Sequence, residues 1–247
     1  MRALLAAITC HKDRPNLANH LAVMELAADQ GCDVVVLPEF SLTGSVDPLR
    51  QSERAVALDS DVVNEVVAAT ARLGLAAVFG VAERDGEDFY ISQLVAAGGE
   101  LRGRHRKRHL GDDELGYSLG TEARAFSVRG TCFGLVVCAE GGAEFTWREV
   151  AAAGASVTFF CSAPGLYGRR TDDTEWRAGL DWWESCGLAD ARRQAQAHGL
   201  WVAMATQAGA TVDEDFPGLA ALINPAGEVV SRSPDWHPSL LVVDIPV

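Results

Sequence analysis

The sequence predicts an α/β domain of two layered halves, with apolar strands inside and helices outside. Three observations predict it. Short, fully apolar runs such as 34–37 mark strands buried on both faces. Between them lie stretches of helical period closed by glycine, such as 60–73 with Gly74. The same alternation returns in the second half in a different sequence, with no Pro/Ser-rich linker and no shift of composition between the two. One domain over residues 1–247 is therefore expected.

Taken in order, 3–8 is an apolar run that stops at Thr9, Cys10 and His11, without a small-residue cleavage site, and reads as a first buried strand rather than a leader. Pro15 and Asn16 open a helix that carries Leu17, Leu21 and Met24 on one face and closes at Gly31. The strand 34–37 follows, then the helix 60–73. Two strands, 76–82 and 91–97, are expected on either side of a polar turn at 83–88. In the second half, 133–137 is a strand, 146–153 a helix ended by Gly154, and 156–161 a strand. The stretch 165–185 is polar and irregular, its Trp176, Trp182 and Trp183 suited to packing, an entrance wall or a subunit contact. A helix over 188–198 with Gly199, a strand over 200–205, a hairpin turning at 224–227 and a last strand at 240–245 complete the series.

Composition narrows the function. Of 247 residues, 48% are hydrophobic and 22% charged, an ordinary globular balance. Lys and Arg number 21 against 34 Asp and Glu, a net charge of −13, which disfavours nucleic acid and anionic membrane surfaces as partners. No apolar stretch reaches the roughly 18 residues a membrane span needs, so a cytoplasmic protein is expected. The six cysteines include no C-x-x-C pair, and most sit in or beside apolar strand-like runs, where a thiol serves as a small hydrophobe.

Three places break the packing logic. In Leu37-Pro38-Glu39-Phe40 a carboxylate follows directly on an apolar strand, where partial desolvation raises its pKa towards that of a useful base; a turn cap or surface ion pair is the alternative. Residues 102–110 form a basic run. As a strand it places Arg104, Arg106 and Arg108 on one face and His105, Lys107 and His109 on the other, which fits a solvated strand or an inward lysine. His105 and His109 have the spacing of a helical metal pair, but Gly103 and Gly111 oppose a helix and no third ligand presents itself. Finally, Cys138 ends an apolar strand before Ala139-Glu140-Gly141-Gly142 and a helix. That is the outline of a nucleophile elbow, with the N–H after the cysteine free to face an oxyanion; a core cysteine is the alternative.

In this order the three segments resemble the nitrilase superfamily of carbon–nitrogen hydrolases, and the resemblance runs over essentially the whole chain. Leu37-Pro38-Glu39 matches the glutamate motif, Arg106-Lys107-Arg108-His109-Leu110 the lysine motif and 134–140 the cysteine motif, with 221–229 similar to the closing hairpin. The resemblance implies a four-layer α-β-β-α sandwich, in a homodimer or larger assembly. It further implies Glu39 as general base, Lys107 as the cation for the tetrahedral intermediate, Cys138 as nucleophile and Glu114 as a second, orienting glutamate. Ala139 and Glu140 are expected at the substrate. No metal or organic cofactor is implied, because base, nucleophile and electrophile are all side chains.

The expected reaction is hydrolysis of a small linear amide, ω-amide or carbamoyl compound through a thioester, with nitriles a narrower option. Acyl transfer on the same triad, a catalytically silent binding protein and a metal hydrolase using His105 and His109 are the competing expectations. Departures from the family pattern concern the pocket: Gly142 stands where many amidases carry Arg, Glu144-Phe145 replaces Pro-Glu, and Thr206 replaces a common Asn.

Overall fold

The computed structural model describes residues 1–247. The chain runs β1 (Arg2–Ala7), α1 (Leu17–Asp29), β2 (Val34–Val36), α2 (Pro48–Gln51), α3 (Asp61–Leu73), β3 (Ala76–Asp85), β4 (Asp88–Ala97) and β5 (Glu100–Arg106). It continues through β6 (Ala125–Val128), β7 (Thr131–Val137), α4 (Glu144–Ala152), β8 (Val157–Ser162), α5 (Asp173–Trp183), α6 (Ala189–His198) and β9 (Trp201–Thr206). A small ribbon of β10 (Ala208–Ala210) and β11 (Asp215–Pro217) precedes β12 (Ala220–Ile223), β13 (Val229–Arg232) and β14 (Ser239–Asp244).

Two six-stranded sheets result, ordered β14-β1-β2-β3-β4-β5 and β13-β12-β9-β8-β7-β6. The halves share a topology. Three parallel strands, β1-β2-β3 in one and β7-β8-β9 in the other, are flanked by antiparallel strands on both sides.

The apolar runs are continuous because both faces of each central strand are covered. In β1, Leu5 and Ala7 face the opposite sheet, meeting Phe133, Leu135 and Phe159, while Leu4 and Ala6 face α1 and α3. In the second sheet, Phe159 lies between the sheets whereas Phe160 packs outward on Trp147, Leu180 and Trp183 of α4 and α5. The order of layers is helix, sheet, sheet, helix, the four-layer sandwich that was expected.

Local differences from the sequence expectations have physical causes. The polar segment 83–88 is not one long turn: β3 and β4 pair down to Asp85 opposite Asp88 around a tight reversal at Gly86, whose φ is +63°. Its charged residues belong to strand ends that project into solvent or into ion pairs. The stretch 165–185 contains α5, started by Asp172, whose carboxylate accepts from the Thr174 and Glu175 N–H groups at 2.9 and 3.0 Å. A π-turn over Glu184–Leu188, with Gly187 buried inside it, carries α5 into α6 without a break. Trp176 stacks on Trp236, Trp183 is buried and Trp182 is exposed.

His20 of α1 is fully buried against Phe79, and neither ring nitrogen makes a hydrogen bond. Burial holds its pKa down to about 4 from 6.5, against a weaker opposing pull from the Ser41 backbone. The unfolded chain therefore binds more protons between these two values. Stability is complete above pH 6.5 and falls as pH drops towards 4, by about 3 kcal/mol from this residue. Urea unfolding across that range should show the slope, and His20→Leu should flatten it.

Candidate active site

The site forms where parallel strands of both sheets deliver their carboxyl ends, the usual place for chemistry in an α/β fold. Glu39 follows β2. The segment that carries it lies flat on β3: a Cβ at Gly80 would stand 2.4 Å from the Phe40 nitrogen and 2.7 Å from the Pro38 oxygen, so only glycine permits the approach. The Gly80 N–H donates to Ser41 Oγ at 2.9 Å, and Gln93 Nε2 donates to the Leu37 carbonyl at 2.9 Å, which fixes the turn. Phe40 itself has a φ of +54°.

Lys107 is the first residue after β5. Its neighbour Arg106 is held outward by Glu83, with Nη2 donating to Oε1 at 2.6 Å and Nε to Oε2 at 3.1 Å, and it lies over the Tyr90 ring. The pleat then sends Lys107 inward, where it is fully buried. The alternation expected along this strand holds from Arg104 to Lys107 and lapses beyond it, since His109 is exposed on the following loop.

Lys107 Nζ donates to Glu39 Oε1 at 2.8 Å and forms a short ion pair with Glu114. Glu114 Oε2 in turn accepts from the Gly111 N–H at 2.7 Å, and Glu39 Oε2 from the Ala163 N–H at 2.9 Å. One buried cation thus bridges two carboxylates, each anchored by a backbone donor. Burial opposes the charge on Lys107, but the two glutamates more than offset it and hold the ammonium above its ordinary range.

Cys138 sits at the exit of β7 with a φ of +46°, a left-handed conformation rare for a side-chain-bearing residue and typical of a strained elbow. Burial, and after it the Glu39 carboxylate, push its thiol up to about 12, with Lys107 and the Ser162 hydroxyl pulling the other way. Glu39 is also raised, chiefly by burial and by the charge of Glu114, against the pull of Lys107. The resting pair is a neutral thiol beside a carboxylate of elevated basicity. The other five cysteines are also unpaired, with Cys10, Cys32 and Cys161 buried.

Glu140 and Ala139 part company. Ala139 lines the cavity beside Cys138, whereas Glu140 is absent from its wall and fully buried behind the elbow. The Glu140 carboxylate accepts from Arg108 N–H and Val137 N–H, each at 2.8 Å, and lies 2.8 Å from His105 Nε2. It therefore ties the His105 ring and the Arg108 N–H, on either side of Lys107, to the residue before Cys138. The same contact occupies His105, so His105 and His109 do not converge. Removing the carboxylate leaves buried donors unpaired, and Glu140→Ala should cost about 3 kcal/mol or more in chemical denaturation. Glu140→Gln, which keeps an acceptor oxygen, should lose less.

Cys138, Glu39, Glu114 and Ala139 open on a cavity of about 420 Å³. Local sequence gave no signal for two further residues there. Tyr117 stands in the acidic loop after β5, packs on Phe40 and donates to the Val46 carbonyl at 2.7 Å. Ser162, the last residue of β8, adjoins the cysteine.

A family model for carbon-nitrogen hydrolases matches residues 4–247. An aliphatic nitrilase from Rhodococcus rhodochrous is 30% identical over 138 residues, covering 49% of this chain and only 38% of the nitrilase. Among solved structures, the NitN amidase from Nesterenkonia sp. AN1 superposes with a TM-score of 0.82 at 23% identity, over 100% of this chain and 93% of the amidase. A cysteine-to-alanine mutant of the Nesterenkonia amidase in complex with butyramide gives a TM-score of 0.81 at 22% identity, over 100% of this chain and 91% of that one. At such identities these structures establish the common fold.

Proposed function

The chain belongs to the carbon–nitrogen hydrolase family, and on that premise we propose that it hydrolyses a small linear amide through a thioester on Cys138. The observation that carries this reading is that Glu39 and Cys138 share one cavity while Lys107 holds Glu39 from just behind its wall, the three coming from separate strand ends.

Cys138 Sγ attacks the amide carbon while Glu39 takes its proton, because a thiol pushed up to about 12 does not ionise beforehand at neutral pH. Lys107 Nζ and the Ala139 N–H donate to the oxyanion that develops. Glu39 then passes its proton to the departing nitrogen, ammonia leaves, and the acyl group remains on sulfur. Water enters, Glu39 removes its proton as it attacks the thioester, and the carboxylic acid departs as Glu39 returns the proton to Cys138. Glu114 holds Lys107 Nζ together with Glu39, so the ammonium is fixed beside the base by two carboxylates. Each proton lost in the first half is given back in the second.

Ammonia release from a panel of butyramide, valeramide and the matching nitriles tests this reading, with Cys138→Ala as the control. Amides should turn over and the alanine variant should not. The pH profile of kcat/KM should carry one acidic limb, above the ordinary carboxylate range, as Glu39 loses its proton. No gain should appear near the 9.0 of an ordinary thiol, because Cys138 titrates far above it. Turnover that persists in Cys138→Ala, or a rate that climbs with thiol ionisation near that value, would refute the mechanism.

A further inference from the structure

The charged side chains that line the cavity are all acidic. Beyond Glu39 and Glu114 its wall carries Asp47, Asp113, Asp190 and Glu214, and no lysine, arginine or histidine lines it. Lys107 lies behind the wall, fully buried and occupied by the two glutamates. The outer carboxylates are neutralised only from outside. Asp190 Oδ1 pairs with Arg193, itself 59% exposed, while Asp190 Oδ2 faces the elbow: a Cβ on Gly142 would stand 3.4 Å from it. No side chain at position 142 fills that space. Glu214 shares Lys12 with Asp213, and Lys12 is nearer Asp213, at 3.1 Å against 3.4 Å. Asp113 has no ion pair, and its charge is the leading cause that raises the Tyr167 phenol at the mouth.

Aromatic rings, Tyr167, Trp183 and Phe216 among them, make up a third of the remaining wall. Aromatic faces and carboxylates whose only cations lie outside the cavity both attract a cation within it. A substrate carboxylate would enter the same space without a partner and would lose its hydration for nothing in return.

We propose that this cavity selects an amide whose far end carries a cationic amine, and rejects the ω-amides of dicarboxylic acids. The proposal rests on the reading of Cys138 and Glu39 as the reacting pair, and it names the substrate class for that site. Asp190 and Glu214 are its specificity-determining residues, since each holds a carboxylate on the wall away from the Lys107 cluster.

Three amides of equal chain length separate charge from size: δ-aminovaleramide, valeramide and glutaramate, compared by ammonia release at neutral pH. The cationic amide should exceed the neutral one in kcat/KM by about tenfold, and glutaramate should fall about tenfold or more below it. Asp190→Asn and Glu214→Gln should each shrink the cationic-to-neutral ratio by about threefold or more, and high salt should shrink it further. The same three compounds are titrated against Cys138→Ala by calorimetry, which reads the charge ranking without turnover. Binding that follows this ranking without ammonia release from the active protein would sink the hydrolase reading and leave charge selection standing. Glutaramate equal to or better than valeramide in either assay, or ratios that neither variant moves, would overturn the proposal.

Discussion

Replacing Lys107 with Met should unfold the protein more readily, by about 3–5 kcal/mol at neutral pH, and should lower kcat by about a thousandfold or more. The loss of stability follows from what remains. Glu39 and Glu114 would face one another at the base of the cavity without the ammonium that now separates them. Two carboxylates so placed cannot both stay ionised, so one binds a proton more tightly in the folded state than in the unfolded chain. A folded-state pKa raised in this way stabilises at low pH and loses its contribution as pH rises. The Lys107→Met variant should therefore be closest to wild type in mild acid and fall furthest behind above neutrality. Adding Glu39→Gln removes one of the opposed charges, so the double variant should regain stability while staying inactive. Denaturation midpoints for the three proteins, measured across pH, check the whole pattern. A single variant as stable as wild type at alkaline pH would mean that the buried cation does not hold this cluster together.

Glu39→Gln should have the larger effect on catalysis, a fall in kcat of about ten-thousandfold, and a smaller one on stability. Glutamine keeps the acceptor oxygen for Lys107 Nζ or for the Ala163 N–H but cannot take the thiol proton. With the thiol pushed up to about 12 by burial and by Glu39 itself, removing that charge makes Cys138 easier to ionise yet leaves no base beside it. The variant should show a weak activity that rises with pH, where the wild type shows a plateau. Steady-state ammonia release between mild acid and alkaline pH reads this change of shape.

The contrast between residues that were legible in the sequence and those that were not has a physical basis. Glu39 and Cys138 each break a run of residues buried on two faces, and a polar group at such a break needs a reason. Apart from the family's lysine motif, Lys107 was legible through the strand period, which works while neighbours such as Arg106 stay clamped outward. Glu114 has no such local mark in the acidic loop, and resemblance alone pointed to it; the structure places it on Lys107.

Glu140 shows the opposite failure. Adjacency to Cys138 suggested the substrate, but the tight turn after β7 carries its side chain under the elbow, onto Val137, Arg108 and His105. Adjacency in sequence says little about direction where the backbone reverses. The helix α5 was missed for a related reason. Its buried residues Gly179, Leu180 and Trp183 are few, and a π-turn carries it into α6 in place of an ordinary helix end, with Gly187 inside the turn rather than stopping the helix. Lys12 and Glu214, paired at 3.4 Å on the wall, are separated by 202 residues, and no local pattern could reveal that contact.

The most direct test of the account is the rate at which each of the six cysteines is alkylated by iodoacetamide at neutral pH, read by peptide mass spectrometry in wild type and Glu39→Gln. An amide-shaped electrophile fits the cavity and meets the thiol beside its base. Cys138 should react first, ahead of the partly exposed Cys132 and Cys186, and should lose that lead in Glu39→Gln. A Cys138 no faster than Cys186, or one whose lead survives the loss of the Glu39 carboxylate, would contradict the claim that Glu39 makes it the nucleophile.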